Sequence, residues 1–175
     1  KRDEQYQLAG IVDVGEAYFG APTRGKKRGR GTERTAVLVS LAVSDEGHPR
    51  FARLHPIADV KRKTIENVLE DQTDEASELQ TDALSTYQGL AIRVHHWRKA
   101  YQADLSEAFR WLHTVISNAK SFLAGTYHGI GPKHLSAYLA EYCYRFNRRF
   151  WQDQLFNRLL YASAHGDPVT YTELI

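Results

Sequence analysis

Two aspartates lie where a carboxylate could take part in chemistry. Asp82 directly follows a short predicted strand at residues 78–81, so its side chain should emerge at the edge of a sheet. Asp13 lies inside the apolar segment of residues 8–14, where an unpaired carboxylate would be costly to bury. Each has an ordinary alternative, because Asp82 could form a turn or cap a helix and Asp13 could be a satisfied structural carboxylate. The residues alone leave both interpretations open.

Side-chain alternation decides which neighbours share a face with Asp13. Residues two apart on a strand point the same way, so we expect Gly15 on the Asp13 face and Glu16 on the opposite face. The apolar segment also predicts that residue 15 lies at the carboxyl end of this strand. An aspartate at that position should cost little stability unless Gly15 has a positive φ.

The histidines and the single cysteine form no recognisable metal or nucleophile motif. The 8 histidines include no HExxH pattern, and no His and Cys residues cluster at zinc-ligand spacing. We interpret the histidines as structural or phosphate-contacting residues. Cys143 lies among aromatic residues of a predicted helix, which favours a buried, inert thiol.

Positive charge is concentrated in clusters, although the formal net charge is only +2. The longest cluster, at residues 24–34, reads RGKKRGRGTER, and its glycines indicate a loop and not a helix. Such runs commonly contact phosphate backbones, and the alternative is a solvated loop that aids solubility. Two smaller clusters lie at residues 61–63 and 145–149. The cations of the three clusters that would contact DNA are Arg24, Lys26, Lys27, Arg28, Arg30, Lys61, Arg62, Lys63, Arg148 and Arg149.

Length and composition limit the class of protein. The 175 residues are 42% hydrophobic and 25% charged, which is typical of a globular domain and argues against disorder. No apolar run approaches the length of a membrane helix, and a single cysteine excludes an internal disulfide framework. We therefore expect a reducing, cytoplasmic compartment. Because the chain begins at Lys1 and contains no Met, we expect it to be a fragment.

The order of predicted elements indicates one α/β domain over residues 1–175. Strands are predicted at residues 8–14, 35–43, 50–54, 78–81 and 91–95, and helices at residues 63–69, 104–123, 132–146 and 154–161. Three antiparallel strands followed by a helix, further strands and more helices predict a mixed sheet flanked by helices. This is also the order of the RNase H-like fold, although several other topologies share it.

Four separated motifs resemble those of prokaryotic insertion-sequence transposases of the ISXO type, which belong to the DDE superfamily and have an RNase H-like catalytic domain. The motifs are LxGxVxVxExYFG at residues 8–20, KKRGRG at 26–31, TDxxSxYxGL at 81–90 and a C-terminal signature at 113–149. The resemblance implies DNA transposition by metal-dependent phosphodiester cleavage and strand transfer, with Mg²⁺ or Mn²⁺ as cofactor. It also implies double-stranded DNA as partner (transposon ends and target), a homodimer on DNA, and a place in the prokaryotic cytoplasm at the nucleoid. The N-terminal DNA-recognition region of the family is expected to be absent from this chain.

The resemblance assigns three catalytic positions. Asp82 corresponds to the second aspartate, Asn118 to the third residue, and Gly15 to the first position, where the family pattern has aspartate. Hard cations need anionic oxygen ligands, so Asp82 is the metal-binding carboxylate that we expect. Asp13 lies about 6.6 Å from position 15 along the strand, and Glu16 would need a bulge to turn inward.

The missing carboxylate favours impaired catalysis over an active enzyme in which Asp13 or Glu16 replaces the lost ligand. The leading hypothesis is a transposase catalytic domain with impaired cleavage. The alternative is a catalytically dead or domesticated module that only binds DNA. The C-terminal signature, in which Lys120 is a further cation expected to contact DNA, argues against an unrelated RNase H-like nuclease.

Overall fold

The described part of the chain forms five strands and four helices in the order expected from the sequence. The computed structural model describes residues 6–20, 34–82, 84–97, 107–127 and 131–166. The strands are β1 (Ile11–Phe19), β2 (Thr35–Val43), β3 (Pro49–Ile57), β4 (Glu78–Thr81) and β5 (Val94–Trp97). The helices are α1 (Arg62–Gln72), α2 (Arg110–Thr126), α3 (Pro132–Asn147) and α4 (Leu155–His165), with a 3₁₀ turn at Gln152–Gln154 before α4. The basic loop with Arg24, Lys26, Lys27, Arg28 and Arg30 lies outside the described residues, as does the predicted helix start at residue 104.

The strands form one mixed sheet in the order β3-β2-β1-β4-β5. β1, β2 and β3 are antiparallel neighbours, whereas β4 and β5 run parallel to β1. β2 is a nearly continuous apolar run because it lies inside the sheet and is buried on both faces. The hairpin to β3 closes through Gly47, whose φ of 79° suits glycine. α1 then crosses from β3 to β4, which places β4 next to β1.

β1 is longer than the strand predicted at residues 8–14 and is shifted toward the carboxyl end. Gly10 has a φ of 76°, which separates the preceding segment from the strand. Leu8 forms only an isolated bridge, to Thr73. The strand continues to Phe19 because β2 pairs with it along its full length. The prediction that residue 15 lies at the end of the strand is therefore wrong, since Gly15 lies in the middle of β1.

Two other boundaries also differ from the sequence prediction. β5 begins at Val94, later than the predicted start at residue 91, because Arg93 has a φ of 57° that interrupts an extended strand. β3 extends beyond the predicted residues 50–54 at both ends, since its partner β2 pairs with it from Ala36 to Val43.

Buried side chains form one cluster on each face of the sheet. On one face α2 and α3 contribute Leu112, Val115, Leu123, Leu135 and Leu139, which pack with β-strand residues such as Val37 and Val39. On the other face α1 contributes Ile65 and Leu69, which pack with Val12, Val14, Leu79 and Tyr87. The sheet is thus covered on both sides, so a reactive site must lie where strands end.

Asn147 and Arg149 satisfy the outer backbone edge of β3. The Asn147 side chain accepts a hydrogen bond from the Ala52 N–H at 2.8 Å and donates one to the Ala52 carbonyl at 3.1 Å. The Arg149 guanidinium donates to the carbonyl oxygens of Arg50 and Pro49. An edge strand would otherwise expose unpaired backbone groups, so the end of α3 protects this edge. These contacts give Arg149 a structural role, and its contact with DNA stays a prediction.

Candidate active site

The parallel pairing of β1 with β4 brings two of the three positions that are predicted to be catalytic side by side. The last paired residues are Val14 and Thr81, so Gly15 is the next residue on β1 and Asp82 directly follows β4. Neighbouring strands lie about 4.8 Å apart, which sets the scale of the separation between the two backbones. Asp82 is half-buried. Position 15 and Asp82 therefore meet at the carboxyl end of β4.

Gly15 lies beneath α2, on the same sheet face as Asp13. Val12 and Val14 point into the α1 cluster, and alternation places Asp13 and Gly15 on the opposite face. A Cβ atom built on Gly15 would lie 3.0 Å from Cδ2 of Leu112, which is tighter than an ordinary van der Waals contact. The φ of Gly15 is not positive. A side chain at position 15 is therefore opposed by the Leu112 methyl group and not by backbone strain.

Local hydrogen bonds fix the backbone around Asp82. Oδ1 of Asp82 accepts a hydrogen bond from the Leu84 N–H at 3.1 Å, an arrangement typical of an Asx turn. The hydroxyl of the preceding Thr81 lies 2.8 Å from Nε2 of His95. Burial lowers the pKa of His95, and the charge of His96 lowers it further, so the neutral imidazole is favoured beside Thr81. Asp82 thus forms a turn, and it also lies at the end of β4, where the sequence predicts a metal-binding carboxylate.

Asp13 and Glu16 do not occupy the position of the missing carboxylate. Glu16 lies on the α1 face, where its Oε2 accepts a hydrogen bond from the hydroxyl of Tyr87 at 2.7 Å. Asp13 is 5% exposed and shares the Gly15 face, but it lies two residues earlier on β1. A strand advances about 3.3 Å per residue, so Asp13 is about 6.6 Å from Gly15 along the strand.

The Glu16–Tyr87 hydrogen bond connects β1 to the loop that carries Asp82, and we expect Tyr87→Phe to destabilise the protein. A hydrogen bond to a charged group contributes about 1.5–3 kcal/mol, and the fully buried Tyr87 ring should otherwise stay in place. Urea unfolding should show a loss in that range. Tyr138→Phe is a suitable control, because the Tyr138 ring packs on Tyr127 and should tolerate the change. An unchanged free energy of unfolding in Tyr87→Phe would contradict the prediction.

α2 runs alongside β1 but does not place Asn118 over Gly15. Leu112 contacts the Gly15 position, and Nζ of Lys120 lies 5.6 Å from the Phe19 ring centroid. Asn118 is exposed and lies six residues after Leu112, which is about 9 Å along the helix axis. The α2 residue that faces position 15 is therefore Leu112. Burial lowers the pKa of Lys120, and the charge of Arg34 lowers it further.

A cluster of cations lies at the start of α1, close to the Asp82 loop. An open cavity of 680 Å³ separates α1 from the residues that follow Asp82. Residues around it include Lys61, Arg62, Lys63, Glu66, Ser85 and Thr86. Nζ of Lys61 pairs with Asp59 at 2.7 Å, and the hydrogen bond raises the pKa of this lysine. The Glu66 carboxylate accepts a hydrogen bond from the Ala91 N–H at 3.1 Å. This surface therefore carries both cationic side chains and the hydroxyl groups of Ser85 and Thr86, which follow Asp82 closely in the sequence.

Arg148 and Cys143, which the sequence analysis also considered, both pack against other parts of the protein. The Arg148 guanidinium lies 3.7 Å from the Tyr144 ring centroid. The Cys143 side chain is buried, as predicted. Within residues 6–20, 34–82, 84–97, 107–127 and 131–166, no group of three or more His, Cys, Asp or Glu side chains could hold a metal ion. No helix in the described part of the chain is long and apolar enough to cross a membrane.

One protein-family model matches most of the chain. The family model described as an ISXO2-like transposase domain matches residues 7–147. No curated protein matches the chain.

The chain also resembles solved structures of viral integrases, one of which has a similar fold. The catalytic core domain of BIV integrase has a TM-score of 0.53 and 10% sequence identity, and the match covers 81% of this chain and 85% of that chain. A simian T-cell lymphotropic virus intasome, solved in complex with PP2A regulatory subunit B56 gamma, has a TM-score of 0.46 and 12% identity. That match covers 94% of this chain and 51% of the viral chain. The likeness to the integrase core confirms the RNase H-like fold predicted from the sequence.

Proposed function

Because this chain belongs to the ISXO2-like transposase domain family, we propose that it is a transposase catalytic domain that binds double-stranded DNA but cleaves it poorly. The observation that supports impaired cleavage is Gly15, which lies beside Asp82 in the position where the family pattern has aspartate. We propose a single domain over residues 1–175 that acts as a homodimer on transposon ends and target DNA. Such a protein would work at the nucleoid in the cytoplasm of a prokaryotic cell.

The residues present do not fit a site for two divalent ions. Proteins of the DDE transposase and integrase families generally use Mg²⁺ or Mn²⁺, which supplies nucleophile activation and stabilisation of the leaving oxygen when bound. Of the three positions, only Asp82 offers a carboxylate, since Gly15 has no side chain and Asn118 is neutral. A Cβ atom at position 15 would also lie 3.0 Å from a methyl group of Leu112. We therefore propose at most a weak ion site at Asp82.

The surface at α1 supports binding of the DNA backbone. Lys61, Arg62 and Lys63 are exposed and lie at the amino end of a helix, where the backbone dipole also favours anions. Ser85 and Thr86 are close enough to line the same cavity and carry hydroxyl donors for phosphate oxygens. These contacts would place a phosphate chain along the loop that follows Asp82. They carry no sequence information, so binding should depend on salt more than on sequence.

Binding and cleavage of duplex DNA separate an impaired enzyme from a module that only binds. We expect the protein to retard a labelled duplex and to nick it in Mn²⁺ only at a trace rate. Asp82→Ala should abolish that trace cleavage, together with any Mn²⁺ binding measured by calorimetry, and should leave duplex binding in place. Asp71→Ala removes an exposed carboxylate elsewhere and should change none of these measurements.

Each outcome has a distinct meaning. Rapid cleavage by the parent protein would contradict impairment. A complete absence of cleavage, combined with normal duplex binding, would support the DNA-binding module. Unchanged Mn²⁺ affinity in Asp82→Ala would remove Asp82 as the ligand.

A further inference from the structure

A cavity of 340 Å³ lies at the end of the sheet opposite Asp82. The segment before β1, the first half of β3, the carboxyl end of α3 and the start of α4 surround it. Because β1 and β4 are parallel, the amino end of β1 and the Asp82 end of β4 lie at opposite ends of the sheet. Its lining includes three aromatic residues and three arginines: Tyr6, Phe51, Trp151, Arg53, Arg148 and Arg158. The volume is within the range of about 300–1,000 Å³ that is usual for small-ligand sites.

The aromatic rings around the cavity are unusually accessible for residues of their size. Tyr6 is 58% exposed, Phe51 47% and Trp151 41%. They come from three separate segments of the chain, and the fold brings them to the rim of one cavity. Aromatic faces arranged in this way are suited to stacking against a planar ring system.

The arginines give the cavity a positive charge. Nη1 of Arg53 donates to the carbonyl oxygen of Tyr6 at 2.9 Å, which fixes the guanidinium at the cavity wall. Arg158 donates from Nε and Nη2 to the side-chain oxygen of Gln154 at 3.1 and 2.9 Å. Both acceptors are uncharged, and no Asp or Glu is among the described residues that line this cavity. Guanidinium groups bind phosphate well, because their donors match its geometry.

We propose that this cavity binds an unpaired nucleotide, with the base against Trp151 and Phe51 and the phosphate at Arg158 and Arg53. A planar ring next to an anion is the ligand that matches the aromatic rings and cations which the described residues supply to this lining. Duplex DNA does not present base faces, so the ligand is a single strand or a free nucleotide. This site is separate from the duplex-binding surface at α1 and does not depend on cleavage.

Fluorescence anisotropy with a short, labelled oligo-thymidylate tests the proposal on the full chain. Trp151→Ala should weaken binding about tenfold, because stacking on an aromatic side chain is lost. Arg158→Gln should lower the slope of log K against log salt by about 0.7, the value for one phosphate contact on a single strand. Phe150→Ala is the matched control, since Phe150 is adjacent and 74% exposed but does not line the cavity.

Calorimetric titration with thymidine monophosphate distinguishes the two sources of the ligand. Binding of the monophosphate with the affinity of the oligonucleotide indicates a free nucleotide, and binding of the oligonucleotide alone indicates a single strand. In either case Trp151→Ala must weaken binding while its circular dichroism and duplex affinity match the parent. Equal single-strand binding by the parent and Trp151→Ala, or no binding of either probe to the parent, would overturn the proposal. Loss of duplex binding alone would bear on the α1 surface and not on this cavity.

Discussion

Gly15→Asp is expected to raise the Mn²⁺ affinity of the protein and its cleavage of duplex ends well above the weak binding and trace cleavage of the parent. The new carboxylate would stand beside Asp82, and two carboxylates that repel each other in the absence of metal can share a divalent cation. The structure also predicts that this substitution lowers the stability of the folded protein. The new Cβ would lie 3.0 Å from Leu112, and overpacking of this kind typically costs about 1–3 kcal/mol.

Thermal unfolding with and without Mn²⁺ checks both parts of this expectation. Without metal, Gly15→Asp should melt below the parent, and Mn²⁺ should raise its melting temperature, because a ligand that binds the folded state stabilises it. Gly15→Ala isolates the contact with Leu112, and Gly15→Asn adds a side chain of similar size without charge. Neither control should gain Mn²⁺ affinity comparable to that of Gly15→Asp.

The cleavage result assigns the limiting residue. A parent that cleaves as well as Gly15→Asp would contradict the prediction and would point to Asp13 or Glu16 as the working ligand. A Gly15→Asp protein that binds Mn²⁺ and still does not cleave would point to Asn118, or to parts of the family that this chain does not contain.

Replacing Lys26, Lys27, Arg28 and Arg30 together with Ala is expected to flatten the salt dependence of duplex binding. Each phosphate contact contributes a slope of about −0.9 to log K against log salt, so loss of four contacts would change the slope by about 3 to 4. The expectation follows from the cation density of the KKRGRG motif. Titrations of a labelled duplex at several salt concentrations provide the measurement.

A substitution at another exposed cation tests whether the loss of any surface charge is enough to change the slope. Lys133 lies at the start of α3, and Lys133→Ala should leave the slope of the parent nearly unchanged. An unaltered slope in the fourfold variant would show that the loop is a solvated connection.

Much of the fold could be predicted because local patterns were strong. The bounds of β2 and β4 agree with the sequence, since β2 is a β-branched apolar run and β4 is followed directly by Asp82. β1 was misplaced because its limits depend on pairing with β2 and on the positive φ of Gly10, and neither is visible in hydrophobicity. Pairing partners decide strand ends, and a single sequence does not show them.

The site could be predicted only in part. The motif around Asp82 and the strand around Gly15 indicated that both belong to one site, and the β1–β4 register brings them together. Leu112 gave no signal, because its contact with Gly15 depends on the position of α2 on the sheet. Tyr87 belongs to the TDxxSxYxGL motif, but its bond to Glu16 spans 71 residues and could not be inferred from spacing.

The side-chain amide of Asn147 limits the pairing of further strands with the β3 edge of the sheet. By taking both backbone groups of Ala52, it acts as a surrogate for one residue of a further strand. The outer side of β3 is thus unavailable as a template there, and a partner that binds by strand addition must use another edge. Asn147→Ala would leave both backbone groups of Ala52 without this partner, so the β3 edge of that variant should pair more readily with a second copy of the chain.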